Sequence, residues 1–255
     1  MSGTTASPAF SRRVFLQRVL LGSTVFAGFP GIGLAREYRG GEGWPWSPGV
    51  ADIPYYGRET AVFLTMGERA FVDAVTARLI PSDDDGPGAR EADVVTFIDR
   101  QLAGFYGQAQ RWYMQGPWPE DVLPTQGYQT EYPPAELYRV SIAAIEGWCR
   151  DNRDGRRFAD LSEDEQDEVL TGIEEEEIEI EGVPLTTFFE LVKENAIEGF
   201  FADPIYGGNR GMVGWHYVGF PGARYDYRDF IHHNGAKIEM PPVSLAGRPE
   251  WSSER

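Results

Sequence analysis

Two short polar strings, each placed directly before an apolar run of helical period, constrain this fold more than any other feature. Thr65-Met66-Gly67-Glu68 has a hydroxyl followed three residues later by a glutamate, and Phe71, Val72, Val75 and Leu79 come next. Ser162-Glu163-Asp164-Glu165 repeats the arrangement ahead of Val169, Leu170 and Ile173. In each string the hydroxyl can accept from the amide three residues on, and the glutamate can reach back to the first amide. Each therefore predicts a helix start, with one face given to a core.

The rest of the chain follows the same period. Pro81 ends the first helix, and Ser82 to Gly88 reads as a loop. A second helix is expected from Arg90 to Leu102, with Val95, Ile98 and Leu102 on one face, and a third from Phe105 to Tyr113. Residues 115–133 read as a surface loop. Pro134 suits a first helical turn, and Leu137, Ser141, Ile145 and Trp148 share a face behind it. Leu185 to Phe201 is the last strong helical pattern. Strand-like alternation is confined to Ile178-Glu179-Ile180. The fold class is mainly α: a single helical domain over 59–201 with long, ordered loops rich in Gly, Pro and aromatics. Residues 202–255 are expected to be irregular and packed on the domain or on a partner.

The N-terminus carries an address. Ser11-Arg12-Arg13-Val14-Phe15-Leu16-Gln17 precedes the diluted apolar run Val19 to Ala27, then Pro30 and Gly33-Leu34-Ala35. Paired arginines, a short apolar stretch and a small-x-Ala ending have the layout of a twin-arginine export signal, with Arg12, Arg13, Phe15 and Leu16 as its core. The apolar run is too short and too rich in Gly, Ser and Thr to span a membrane. Residues 1–35 are expected to be a removable signal engaging the twin-arginine translocase, and the location is expected to be periplasmic. Residues 36–58 form a Gly/Pro/Trp-rich arm containing Trp44-Pro45-Trp46. That export route carries folded chains, which hold a cofactor themselves or travel with a partner that does.

Charge narrows the partners. The formal charge is −17, and removal of Arg12, Arg13 and Arg18 with the signal takes it to about −20. Nucleic acid and anionic lipid are disfavoured, since both reward a basic face. The one cysteine, Cys149, cannot close a bond within its own chain. It is either a buried thiol or a bridge to another chain.

No motif for a resident cofactor is legible. Asp83-Asp84-Asp85 fails the calcium-loop pattern, because Pro87 and Val94 occupy later ligand positions. Gly207-Gly208-Asn209-Arg210-Gly211 lacks dinucleotide-loop spacing, with no strand pattern before it and no helical pattern after it. Covalent haem, iron–sulfur and nucleophile-elbow patterns are also missing. His216, His232 and His233 keep open an alternative reading as a stand-alone metal-dependent enzyme or a binding protein. The economical expectation is a chain without catalytic residues, metal or cofactor, exported together with a cofactor-bearing partner.

The segment Asp203-Pro204-Ile205-Tyr206-Gly207-Gly208-Asn209-Arg210-Gly211, followed by Gly214-Trp215 and Gly219-Phe220-Pro221-Gly222, resembles the gluconate 2-dehydrogenase subunit 3 family. Leu79-Ile80-Pro81-Ser82-Asp83, Pro87-Gly88-Ala89, Phe97-Ile98-Asp99 and Leu161-Ser162 extend the similarity over roughly residues 60–225. The resemblance implies a small, non-catalytic subunit. Its large partner would be a glucose-methanol-choline-type flavoprotein holding FAD, and a multihaem cytochrome c would pass the electrons on. The small subunit would bind the flavoprotein, help it mature and carry it through export. Tyr206, Gly207, Gly208, Asn209, Trp215, Phe220 and Cys149 are the expected partner-contact residues. Consecutive glycines allow close backbone approach, and aromatics supply interface area.

Overall fold

The computed structural model describes residues 37–39, 62–118, 123–224 and 227–245. The signal residues Arg12, Arg13, Phe15 and Leu16, the Trp44–Trp46 arm and Tyr225 lie outside them. Six α-helices carry the described fold: α1 (Met66–Leu79), α2 (Val94–Ala103), α3 (Pro134–Asn152), α4 (Glu163–Glu174), α5 (Leu185–Phe201) and α6 (Val213–Val218). A short parallel pairing joins β1 (Glu37–Arg39) to β2 (Lys237–Glu239).

Both capping boxes form. Glu68 N donates to Thr65 Oγ1 at 3.3 Å, and Thr65 N donates to Glu68 Oε2 at 2.7 Å. Ser162 and Glu165 make the same exchange at the head of α4. Pro134 occupies the first turn of α3, where its missing N–H costs nothing.

α1 and α5 form the axis. Each packs against α2, α3 and α4 as well as against the other. Between them an aromatic file fills the core. Phe71 meets Phe158 at 4.9 Å and Phe188 at 6.4 Å, and Tyr138 meets Phe188 edge-on at 5.2 Å. Arg78 ties α1 to α4 through a two-pronged bond to Asp167, both distances 2.8 Å, with Glu163 at 2.6 Å. Cys149 is wholly buried on α3. Burial raises its thiol pKa to about 11, and nearby Glu146 adds to the rise. That corrects the expectation of a partner contact at this residue, because a core sulfur is not offered to a second chain.

Four local expectations are also corrected. α2 begins at Val94, not Arg90, because Asp93 takes a left-handed conformation with φ 55° and breaks the run. Phe105 to Tyr113 forms turns, not a helix. A Cβ on Gly107 would lie 2.0 Å from the Leu102 carbonyl oxygen, and Ala109 has φ 49°. Ile178–Ile180 is no strand: Ile178 folds back over Gly172 of α4, and Ile180 makes a lone bridge to Val183. The segment after Ala202 is not irregular throughout. It holds α6, which starts directly after the glycine-rich stretch, and several single 3₁₀ turns.

Candidate functional site

α5 ends at Phe201, where its last carbonyls need donors from outside the helix. The glycine-rich block supplies them. Asn209 is fully buried, and its Nδ2 donates to the Ala202 carbonyl at 2.8 Å. Trp215 Nε1 donates to the Phe201 carbonyl at 2.7 Å. Asn209 Oδ1 in turn accepts from Gly214 N at 2.8 Å and so holds the first turn of α6. Asn209 has φ 46° and ψ 41°, a left-handed backbone that asparagine tolerates better than most residues. One side chain therefore closes α5, opens α6 and makes the turn between them.

The glycines are where backbones meet. A Cβ on Gly208 would sit 2.1 Å from the Gly199 carbonyl oxygen, and one on Gly214 would sit 2.2 Å from that of Phe200. Gly207, at φ 106°, lies under the Arg100 side chain and the Thr96 methyl of α2. Arg210 N completes the seat with a 3.0 Å bond to the Ala92 carbonyl.

Three aspartates that the sequence did not single out as site residues organise the surroundings. Asp203 Oδ1 accepts from Ile205 N at 3.1 Å and from Ser244 Oγ at 2.6 Å, while Oδ2 accepts from Leu245 N at 2.6 Å. Asp99, buried on α2, accepts three amides, from Val62 at 2.6 Å, Phe63 at 2.9 Å and Leu64 at 2.7 Å. Asp93 accepts from Thr96 Oγ1 at 2.9 Å, and its Oδ2 is buried without a hydrogen-bond partner among the described residues. Burial raises the Asp93 pKa, against the pull of Thr96, Arg210 and Arg100. An Asp-Pro pair at 203–204 marks a turn opener in sequence; nothing in the spacing of Asp99 marks its three amides.

The expected contact residues therefore divide. Gly207, Gly208, Asn209 and Trp215 are buried against their own chain, whereas Tyr206 and Phe220 remain 47% and 44% exposed. Tyr217 and Val218 on α6 also face outward. Trp215 braces Phe220 edge-on at 5.2 Å. Charge divides the same way. Residues 62–201 hold 30 acids against 11 Lys and Arg, while residues 202–245 hold four of each. The block is thus an electrically balanced aromatic surface on an acidic body.

No group of three or more His, Cys, Asp or Glu among the described residues is placed to hold a metal, and His216 stands exposed on α6. No described helix is long and apolar enough to cross a membrane.

The gluconate 2-dehydrogenase subunit 3 family matches residues 67–222, which run from the first turn of α1 to the end of the glycine and tryptophan block. The chain belongs to that family. It is accordingly a subunit of a gluconate 2-dehydrogenase-type complex and works with other chains. No curated protein and no solved structure matches it.

Proposed function

We propose that this chain is the non-catalytic small subunit of a periplasmic, flavin-dependent sugar or sugar-acid dehydrogenase. It binds a large flavoprotein subunit of the glucose-methanol-choline type, aids its maturation and carries it through twin-arginine export. FAD belongs to that partner, and a multihaem cytochrome c subunit is the onward electron carrier. The observation that carries this reading is the division within the block. Its glycines, Asn209 and Trp215 are spent on fixing the backbone, which leaves Tyr206, Tyr217 and Phe220 held outward on a surface of balanced charge. Such a surface gives a second protein far fewer carboxylates to desolvate than the helical body does.

Co-expression of the tagged full chain with the flavoprotein tests the reading. A yellow complex with a flavin spectrum and a large oxidoreductase band is the expected product. Changing Arg12 and Arg13 together to lysine should leave the flavoprotein in the cytoplasm. Its arrival in the periplasm regardless would refute shared export.

A further inference from the structure

A protein interface of ordinary size needs about 800 Å² from each partner. Fully covered aromatic side chains bury roughly 150–250 Å² each, so Tyr206, Tyr217 and Phe220, all less than half exposed, offer only about 200–330 Å². Those three rings alone fall short of an ordinary interface.

Aromatic area that brings the total to about 460–760 Å², near that size, lies next to the block. From Gln101 to Trp118 the only charged side chain is Arg111. Within this stretch Phe105 is 56% and Tyr113 is 80% exposed, and Trp112 is about one-third exposed. By the same measure these three add about 260–430 Å². They are presented by a built scaffold. Trp112 rests edge-on against Tyr106 at 5.6 Å and tilted against Tyr128 at 4.9 Å. The Arg111 guanidinium lies over the Phe105 ring at 5.0 Å. Ala135 N bonds to the Gly107 carbonyl at 2.9 Å, which pins the turn to the start of α3. Preorganised aromatics and arginine, with little left to order on docking, are the residues that carry interface energy.

This stretch and the glycine block share their seat. Tyr106 Oη donates to Asn195 on α5, and Gly208 rests on Gly199, one helical turn further along the same face. On α2, Arg100 covers Gly207 while the Leu102 carbonyl meets Gly107. Four residues along a helix span about 6 Å, so the two aromatic displays adjoin across the C-terminal halves of α2 and α5.

We infer that Phe105, Trp112 and Tyr113 form the second half of one docking surface, continuous with Tyr206 and Phe220, for the flavin-bearing subunit of the complex. The inference rests on the proposed small-subunit role. The number of exposed aromatics and their shared seat on α2 and α5 select this surface over the acidic flank of α4.

The test is co-expression of the full chain with the flavoprotein, and a measured dissociation constant for the purified pair. Variants are Tyr113→Asp and Phe105→Ser on the turn, and Phe220→Ser on the block. Melting temperatures of the free chain confirm that each variant folds. The expected result is a loss of roughly tenfold or more in affinity for variants on either side, with melting unchanged. Weakening by Phe220→Ser alone overturns the inference but leaves the small-subunit role standing. Failure of the wild-type chain to bind the flavoprotein overturns both. Dimerisation of the free chain, or its binding to neutral lipid vesicles, that Tyr113→Asp abolishes while flavoprotein affinity stays intact also overturns the inference.

Discussion

The helical body and the glycine and tryptophan block solve the same problem by opposite means. In the body, side chains do the holding: Phe71, Tyr138, Phe158 and Phe188 fill the space between helices that keep their backbones apart. In the block, side chains are absent where contact is closest. Gly208 and Gly214 let one backbone rest on the carbonyls of another, and Asn209 and Trp215 supply the bonds those carbonyls need. The body is tolerant of shape and demanding of volume. The block is demanding of shape, which leaves its remaining aromatics free to face outward.

The sharpest way to break that contrast is a matched pair of deletions and additions. Phe71→Ala should cost about 3–5 kcal/mol and melt the helices as one unit, read by far-ultraviolet circular dichroism. Gly208→Ala should cost about 2–4 kcal/mol, because its new methyl meets backbone with no room to turn. It should detach the block while the helical signal is largely kept, seen as new protease cleavage after Phe201. If both variants melt in one identical transition, the two regions are not separable.

Asp99→Asn comes next, at about 2 kcal/mol, since a neutral amide cannot serve three amide donors as a carboxylate does. Hydrogen exchange at Val62, Phe63 and Leu64 should quicken more than at α4. Gly147→Ala should stabilise by about 0.5–1 kcal/mol in urea titration. This glycine is helical and has open space around its missing Cβ, so it is the body's answer to Gly208. Destabilisation there would mean the body is as shape-limited as the block.

The smallest effect is a pH dependence. The Arg156 guanidinium, helped by the Ser162 amide and hydroxyl, holds the Glu165 carboxyl down at about 2. A lowered folded pKa contributes stability above the ordinary carboxylate value, and that contribution is lost as pH falls from there toward about 2. The difference in denaturation midpoint between the wild-type chain and Glu165→Gln should therefore narrow from pH 7 to pH 3.

Most of the body was legible in the sequence because its cues are local. A hydroxyl and a glutamate three apart, apolar residues at helical spacing, and a proline at a first turn each act within a few residues of where they are read. The structure bears out α1, α3, α4 and α5 on those cues. Two of the misplaced elements fail at the backbone: Asp93 and Ala109 take left-handed conformations and Gly107 rests on the Leu102 carbonyl, which a period count cannot see. The block was visible as composition but not as geometry. Nothing local tells that Asn209 spans two helices, or that Gly208 rests on Gly199. Nor could the sequence tell which aromatics would be spent inward, as Trp215 is, and which would stay outside, as Phe220 does.

The three amides gathered by Asp99 have a mechanical consequence. Any tension applied to the chain ahead of Val62 reaches the carboxylate before it reaches the first turn of α1. Arg139 backs this point from the other side, donating to the Phe63 carbonyl at 2.9 Å and stacking over its ring. The load is passed sideways into α2 and α3, two helices already seated in the core. A pull on the leading end is thus met by α2 and α3 before it can unwind α1.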